Sequence, residues 1–316
     1  MTNQLQYFQV QPERKTTTIA LISLLIAIIA ISISPILIRL TENEISPDAT
    51  IFFREAIAAV IFGIWSSFNS FNQRNYSTEL RAKSSNEIKQ LIALIAAAII
   101  ATVSVIFFAW SLTQTSVANC TIIYNLVPIF TTLGAWLIFN QRFNSTFLIG
   151  MIIAISGAIA IGLQDLQISV NHLQGDLFSL LSVILYAGYL LLVEKLRKNL
   201  DAATILLWRC GVGSILLLAI VLLAGEELFP VSFGGWLAAI SLAIVSQVIG
   251  QGLIAYTLNK LSSSFVAISF LLIPTLAAIL AWFIFDEKLN LLNILSFLVV
   301  LLGMYFALSS KDSVNK

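Results

Sequence analysis

Residues 116–144 read SVANCTIIYNLVPIFTTLGAWLIFNQRFN, and residues 262–290 read SSSFVAISFLLIPTLAAILAWFIFDEKLN. Shifted by 146 residues, from Ser116 to Ser262, the two stretches match at residue types that are rare in an apolar chain: Pro128 with Pro274, Ala135-Trp136 with Ala281-Trp282, Arg142 with Lys288, and Asn144 with Asn290. Neither stretch alternates polar and apolar residues, as a strand of a membrane barrel would. The pair therefore predicts a duplicated helical unit.

The composition of the whole chain predicts a membrane protein. Of its 316 residues, 59% are hydrophobic and 10% are charged, and the mean hydropathy is +0.94. A soluble domain carries about 25% charged residues, so a soluble enzyme is excluded. A net charge of +1 excludes a nucleic-acid-binding protein, and two cysteines exclude a disulfide scaffold. The predicted surroundings are a lipid bilayer.

Ten segments have the length and apolarity of transmembrane helices, each of which needs about 20 residues. They are 17–38, 49–66, 88–110, 115–138, 145–163, 176–194, 202–223, 234–256, 262–285 and 291–309. We therefore predict an all-α, polytopic membrane protein of ten transmembrane helices. Its predicted parts are a cytoplasmic tail, 1–16, and two five-helix repeats, 17–164 and 176–310.

The basic residues predict the orientation. With the N-terminus in the cytoplasm, 13 of the 17 Lys and Arg residues fall in cytoplasmic segments. Arg39 and Lys288 fall outside, and Arg54 and Arg209 lie within predicted helices. Because cytoplasmic loops carry the excess of Lys and Arg, this division predicts that both termini are cytoplasmic.

The repeat is predicted to be inverted. Each half contains five helices, an odd number, so the second half crosses the membrane in the opposite sense. Arg54 matches Arg209 at a shift of 155 residues, and Gly157 matches Gly303 at 146. Inversion favours alternating access, although duplication for stability alone is the other interpretation.

The two quoted stretches resemble the EamA-type branch of the drug/metabolite transporter superfamily. The second copy keeps the acidic-basic pair of that pattern in Glu287-Lys288, whereas the first has Gln141-Arg142. The resemblance implies that the first four helices of each half surround a central cavity and that the fifth and tenth lie at the periphery. It also implies carriage of small organic solutes, most commonly the export of amino acids or metabolites.

Two basic residues within predicted helices are candidates for binding substrate. Arg54 is placed near the outer end of the second helix, and Arg209, its repeat mate, near the inner end of the seventh. We expect them to line opposite vestibules and to attract a carboxylate or a phosphate. The alternative is that each one extends to the interface or forms a structural ion pair.

Glu55 is the candidate for proton coupling, since it is the carboxylate well within a predicted span. The alternative is a structural role as the partner of an arginine on another helix. Arg54 is adjacent in sequence and points about 100° away on a helix, so it is not the expected partner.

Polar and aromatic residues in the spans predict the remaining lining of a cavity for an amphipathic solute. The candidates are Gln247, Gln251, Ser104, Trp110, Tyr124, Asn125, Tyr186, Tyr189 and Tyr256. Such groups can equally hold helices together. Pro128 and Pro274 are expected to kink their helices, as hinges or as fixed features of the cavity. Asn119, Asn125 and Thr131 could satisfy the backbone groups that Pro128 frees.

Other chemistries lack the residues that they need. His172 is the single histidine, so no metal cluster is predicted, and Cys120 and Cys210 are expected to be inert. No glycine-rich phosphate loop and no nucleophile–base pair are present. We therefore predict a secondary transporter of the bacterial cytoplasmic membrane, without catalytic residues, cofactor or metal. The oligomeric state stays open, and a membrane-embedded enzyme or a non-transporting scaffold is the alternative.

Overall fold

The computed structural model describes residues 3–42, 44–74, 84–162, 173–285 and 291–313, and every regular element in these ranges is helical. The first half contains α1 (Asn3–Ser32), α2 (Ser34–Thr41), α3 (Pro47–Arg74), α4 (Ser84–Gln114), α5 (Val117–Tyr124), α6 (Val127–Phe139) and α7 (Ser145–Gly162). The second contains α8 (Leu173–Leu196), α9 (Ala202–Ala224), α10 (Phe233–Leu242), a π-helix (Ala243–Gln251), α11 (Gly252–Thr257), α12 (Ser263–Ser269), α13 (Ile273–Phe285) and α14 (Leu291–Ser309).

Seven helical stretches of the described chain are long and apolar enough to cross a membrane. They correspond to seven of the ten predicted segments, and α1–α2, α5–α6 and α10–α11 each make one stretch. The other three predicted segments contain shorter apolar helices, at Ser145–Ala160, Ser263–Ala277 and Ile294–Ser309. The prediction of an all-helical, multi-pass membrane protein is confirmed. Helix α1 begins at Asn3, inside the predicted N-terminal tail.

Three of the ten predicted segments are interrupted at a proline. Pro35 and Pro128 lie in the first turns of α2 and α6, and Pro274 is the second residue of α13. Proline has no N–H and is tolerated in the first turn of a helix, so each one starts a new helical segment. Around Pro128, the Thr131 hydroxyl donates to the Val127 carbonyl at 2.8 Å. This is not the Tyr124 carbonyl, which the missing N–H of Pro128 would have bonded in an α-helix.

Asn119 and Asn125, the other two residues predicted to satisfy backbone groups that Pro128 frees, do not make the expected contacts. The Asn119 side-chain amide donates to the carboxylate of Asp176 at 3.2 Å. Asn125 ends α5, and its side-chain nitrogen has no partner. Neither of these side-chain nitrogens bonds to the Tyr124 carbonyl, which the missing N–H of Pro128 would have bonded.

Helices α7 and α14 pack through small residues. A Cβ atom on Gly150 would lie 2.6 Å from the Gly303 carbonyl oxygen, and one on Gly303 would lie 2.4 Å from the backbone nitrogen of Ala154. Close approach of backbones at glycine and alanine is the usual basis of helix association in a membrane. This pair stands beside the other helices, which pack as α3 with α9, α4 with α8, α6 with α12, and α1 with the π-helix and α11.

Hydrogen bonds join the helix ends in separate groups. At one group, the Glu44 carboxylate accepts from the backbone N–H of Val231 at 3.1 Å and of Ser232 at 2.9 Å, just before α10. It also accepts from the Ser232 hydroxyl, and these bonds hold the pKa of Glu44 below its ordinary value. Ser46 donates to Glu226 in the same group.

A second group ties the start of α12 to the other helix ends. The Ser263 N–H donates to the Glu194 carboxylate at 2.8 Å, and the Ser262 hydroxyl donates to the Asp312 carbonyl at 2.8 Å. The Asn144 N–H donates to the Asp312 side chain at 2.7 Å. In a third, smaller group, the Thr115 hydroxyl donates to Asp176 at 2.7 Å.

Candidate functional site

A cavity of about 260 Å³ lies at the centre of the bundle. Every predicted span except the fifth and the tenth contributes to its described lining. One lining residue from each of the eight is Ile31, Arg54, Ser104, Tyr124, Tyr186, Arg209, Gln247 and Phe270. The arrangement agrees with the expectation of a central cavity formed by the first four helices of each half.

Three charged side chains form an ion cluster at this cavity. The Glu55 Oε1 atom lies 3.7 Å from Arg54 Nη2 and 3.4 Å from Arg209 Nη2. The Glu55 Oε2 atom accepts a hydrogen bond from Gln247 Nε2 at 3.1 Å. Only 4% of Glu55 and 5% of Arg209 is exposed. Burying a charge is costly unless it is paired, and the cluster provides that pairing.

The two arginines line one cavity rather than the opposite vestibules that the sequence predicted. Glu55 lies beside Gly213, where a Cβ atom would be 3.9 Å from the Glu55 carboxyl carbon. Gly213 is eleven residues from each end of α9, which is about 16 Å at 1.5 Å per residue. Two long arginine side chains therefore reach one carboxylate in the middle of the bundle.

The ion pairs of Glu55 also differ in part from the prediction. An arginine on another helix, Arg209, is a partner as expected. Arg54, the sequence neighbour of Glu55, is a second partner, although the side chains of Arg54 and Glu55 leave the helix in different directions. The flexible arginine side chain is long enough to bend back across that angle.

Several buried guanidinium donors beside the cavity are unpaired. Among the described residues, Arg209 Nε and Nη1 and Arg54 Nε have no hydrogen-bond partner. The Arg209 guanidinium carbon also lies 5.3 Å from the centre of the Tyr189 ring, a cation–π distance. The aromatic ring stabilises the positive charge but accepts none of these N–H groups in a conventional hydrogen bond. Both arginines nevertheless belong to the lining, so the cavity has positively charged groups at its wall.

Aromatic rings form one wall of the cavity. The Tyr124 and Tyr186 rings are 5.8 Å apart, and the Tyr186 and Phe270 rings are 6.0 Å apart. The Phe108 ring lies 5.3 Å from that of Tyr124, at a steep angle. Together with the arginines and with Gln247, they make a cavity that is polar at one part and aromatic at another.

The structure brings most of the sequence candidates together and leaves others apart. Tyr124, Tyr186, Ser104, Gln247 and Gln251 line the cavity with the arginines. The remaining four do not line it: Tyr189, Asn125, Trp110 and Tyr256.

Each of those four has another position. Tyr189 lies behind Arg209, and Asn125 is buried at the end of α5. Trp110 is 47% exposed and packs against Phe178. Tyr256 lines a separate cavity of about 490 Å³ with Trp65 and Arg197. An apolar sequence alone does not distinguish an aromatic side chain that faces the centre from one that faces the outside of the bundle.

Some lining residues were missed from the sequence. The Ser34 hydroxyl donates to the Ser246 hydroxyl at 2.7 Å, between α2 and the π-helix. Phe270 is the repeat mate of Tyr124 at the shift of 146, so the duplication itself was a signal for it. The π-helix, which presents Ser246 and Gln247, has no such signal, since its apolar residues also suit an α-helix.

The described residues hold no group of three or more His, Cys, Asp or Glu side chains that could bind a metal ion. Cys120 and Cys210 are buried and free. His172, Glu287, Lys288 and Asn290 lie outside the described residues.

An all-helical bundle with several helices long and apolar enough to cross a membrane, around a partly polar cavity, defines a multi-pass membrane protein. The EamA-like transporter family matches residues 18–163 and 173–309. The chain therefore belongs to the EamA-like transporter family, as its resemblance implied.

Individual relatives agree with this assignment. An uncharacterized transporter of Archaeoglobus fulgidus is 24% identical over 274 residues, which cover 85% of this chain and 90% of that protein. The uncharacterized transporter YxxF of Bacillus subtilis is 23% identical over 270 residues, which cover 85% of this chain and 83% of that protein. A crystal structure with 14% sequence identity has a TM-score of 0.76 and covers 91% of this chain and 96% of its own, and thus has the same fold. Family and relatives indicate a membrane transporter.

Proposed function

We propose that this protein is a secondary transporter that exports small organic solutes, amino acids or related metabolites, across the cytoplasmic membrane by alternating access. The observation that carries the proposal is the central cavity, which two arginines line in the middle of an apolar bundle. Ionisable residues at such a depth are costly and are typical of transport pathways.

The hydrogen bonds between helix ends support the count of ten crossings. If ten helices cross, the connections alternate between the two faces of the membrane. Glu44 bonds to Ser232, and Thr115 bonds to Asp176, and each of these bonds joins two connections on the predicted outer face. On the predicted inner face, the corresponding bonds are Ser263 to Glu194, Ser262 to Asp312, and Asn144 to Asp312. In each case, the two helix ends that the bond joins are predicted to lie on the same face of the membrane.

The pairing of helices supports two inverted repeats, 17–164 and 176–310. If the two halves are exchanged, the first span takes the place of the sixth, and the eighth takes the place of the third. The contact of the first span with the eighth should then have a counterpart between the sixth and the third, and both contacts are present. It leaves the pairs α3–α9, α6–α12 and α7–α14 unchanged. Matched residues also face the same cavity: Ile31 with Tyr186, Arg54 with Arg209, Val105 with Gln251, and Tyr124 with Phe270.

The position of the ion cluster supports alternating access. Glu55 lies level with the centre of α9, and transporters built from inverted repeats bind substrate near the midplane, where the repeats meet. In this proposal Arg54 and Arg209 bind the substrate, and Gln247, Gln251, Tyr124 and Tyr186 complete the site. The breaks at Pro128 and Pro274 are the hinges.

The excess of Lys and Arg supports an orientation with both termini in the cytoplasm. Glu55 remains the candidate for proton coupling under this proposal, beside its role as the partner of both arginines. The family resemblance favours export as the direction.

Counterflow in proteoliposomes tests the proposed function. The purified protein is reconstituted with a mixture of unlabelled amino acids and 2-oxo acids inside, and uptake of each labelled compound is followed with protein-free liposomes as the control. We expect saturable exchange of at least one compound. No exchange of any compound would favour a scaffold or an enzyme. Resistance of an overexpressing bacterium to toxic analogues of the substrate would support export, whereas increased sensitivity would indicate import.

A further inference from the structure

The two arginines and the glutamate of the ion cluster have different relations to the central cavity. Arg54 and Arg209 belong to its lining, whereas Glu55 lies behind them and is not part of the lining. Both arginines contact the same oxygen of Glu55, and Gln247 donates to the other oxygen. A solute in the cavity therefore contacts the guanidinium groups rather than the Glu55 carboxylate, which already has Arg54, Arg209 and Gln247 as partners.

The formal charge of this cluster does not balance. In their ordinary ionised forms, two arginines and one glutamate leave one positive charge. The other described lining residues are serine, tyrosine, glutamine and apolar side chains, none of which carries a charge at neutral pH. Arg209 is 5% exposed, so little water is available to screen its charge. One anionic group in the cavity would supply the missing negative charge.

A positively charged group has no comparable partner there. An ammonium group would face two guanidinium groups, while the Glu55 carboxylate is shielded behind them. Serine hydroxyls and glutamine oxygens could accept its hydrogen bonds but would not neutralise its charge. An uncompensated cation in a site of low dielectric constant is costly. The cavity therefore disfavours amines, including the ammonium group of a free amino acid.

The remaining wall suits an apolar body. Tyr124, Tyr186 and Phe270 form a row of rings, and Phe108 adds a fourth. A volume of about 260 Å³ lies just below the range for ligand pockets, which is roughly 300 to 1,000 Å³. A small solute with one aromatic or branched apolar group fits these limits.

We propose that the central cavity selects organic monocarboxylates, with one negative charge and an apolar body, over zwitterions and cations of the same shape. This inference rests on the proposed function and narrows its substrate class to acids such as 2-oxo acids. Affinity for the anion should exceed that for the matched zwitterion by about tenfold to a hundredfold, since a hydrogen bond to a charged group contributes about 1.5–3 kcal/mol.

A charge series with a constant body tests the selection. Phenylpyruvate, phenylalanine and phenethylamine carry charges of −1, 0 and +1 at neutral pH, and 4-methyl-2-oxopentanoate with leucine gives a second matched pair. Binding to the purified protein is measured by ligand-dependent thermal shift, and transport by counterflow. We expect each 2-oxo acid to bind more tightly than its amino acid, and phenethylamine to bind least. Equal or tighter binding of an amino acid or of the amine would overturn the proposal, as would no shift with either 2-oxo acid at millimolar concentration.

Variants of the cluster give a second test. Glu55→Gln raises the formal charge from one to two positive charges and keeps the size of the side chain, so we expect phenylmalonate, a dianion, to gain affinity relative to phenylpyruvate. Arg54→Gln leaves no net charge and should remove most of the preference for phenylpyruvate over phenylalanine, whereas Arg54→Lys should keep it. Unchanged preferences in Glu55→Gln and Arg54→Gln would count against the proposal. If neither variant folds, the charge series measured on the unmodified protein still tests whether the cavity selects monocarboxylates.

The outcomes separate this inference from the proposed function. Saturable counterflow of phenylalanine without binding of either 2-oxo acid would support a transporter and contradict selection of monocarboxylates. Binding of the 2-oxo acids with no counterflow would support the charge selection and contradict transport.

Discussion

At the scale of residues, the ion cluster of Arg54, Glu55 and Arg209 is the most constrained part of the molecule. Each charge is buried or nearly so, and each depends on the others for compensation. Removing one member of a buried ion pair typically costs about 3–5 kcal/mol, since its partner is left without compensation. Changes in this cluster must therefore be tested for stability as well as for transport.

Replacing either arginine should weaken transport. We predict that Arg54→Gln and Arg209→Gln each lower counterflow at least about tenfold at equal protein levels, because a charged hydrogen bond to the substrate is lost. Lys198→Gln is the matched control, since Lys198 is an exposed basic residue away from the cavity. Unchanged counterflow in both arginine variants would contradict a role for these residues in binding.

Glu55→Gln separates coupling from structure. Glutamine keeps the shape of the side chain and a hydrogen bond to Gln247 but cannot exchange a proton at neutral pH. If Glu55 carries the coupling, we predict that a proton gradient no longer drives uptake while counterflow without a gradient persists. Uptake by Glu55→Gln that still responds fully to the gradient would exclude the coupling role and leave the structural one.

Sequence reasoning found the charged members of the site because ionisable residues in apolar helices are rare. It found Gln247 and Gln251 because they are polar residues within a predicted apolar span. It placed Arg54 and Arg209 in opposite vestibules because position along a helix gives the depth of a backbone, not the reach of a long side chain. Trp110 and Tyr256 were assigned to the site because nothing in an apolar sequence indicates which face of a helix points inward.

At the scale of elements, the contact of α7 with α14 depends on glycine. A Cβ atom on Gly303 would lie 2.4 Å from a backbone nitrogen and 2.6 Å from a backbone oxygen, so the helices would have to separate. We predict that Gly303→Ala lowers stability by about 1–3 kcal/mol, the usual cost of overpacking. The measurement is the thermal midpoint in detergent.

Gly188→Ala is the control for that substitution, because a Cβ atom there meets nothing within 4 Å. We expect it to leave the midpoint unchanged or to raise it, since alanine favours the helix by about 1 kcal/mol over glycine. Equal effects of the two substitutions would show that close packing of α7 and α14 is not the cause.

The helix end at α10 should give a pH-dependent contribution to stability. Hydrogen bonds from Ser232 and Val231 lower the pKa of Glu44 in the folded protein, so folding favours the ionised form. This contribution is present above the ordinary pKa of a glutamate and is lost as the pH falls through the lowered pKa. We predict that Glu44→Gln lowers the thermal midpoint at pH 7 and that the difference from the unmodified protein disappears in strong acid. The exposed Glu227, replaced by Gln, should show no such difference.

The apolar helices were predictable from the sequence, because composition determines them. The π-helix and the breaks within the spans were not, because they depend on the register of backbone hydrogen bonds. The described parts of the ten predicted apolar segments are helical apart from short breaks. The π-helix at Ala243–Gln251 and the breaks before Pro128 and Pro274 depend on which carbonyl each N–H selects, and apolar periodicity does not encode that choice. The prolines indicated the places of the breaks but not that new helical segments begin there.

At the scale of the whole molecule, positions that match between the two halves of the sequence have the same local structure. Ser116 and Ser262, which are repeat mates, each cap the helix before a break, and each helix is followed by a proline at the matching position. The sequence could not specify which helices pack together, because an apolar surface fits many partners. Those pairings are what bring the two halves to one cavity.

Alternating access requires that this cavity open in turn to each side of the membrane. Val105 lines the cavity and makes no side-chain hydrogen bond, so Val105→Cys, with Cys120 and Cys210 replaced by alanine, provides a reporter there. Its labelling by a membrane-impermeant thiol reagent is measured in right-side-out and in inside-out vesicles, with and without the transported solute. We predict labelling from both sides and a change of its rate by the solute in both. Labelling from one side alone, or from neither, would contradict alternating access through this cavity.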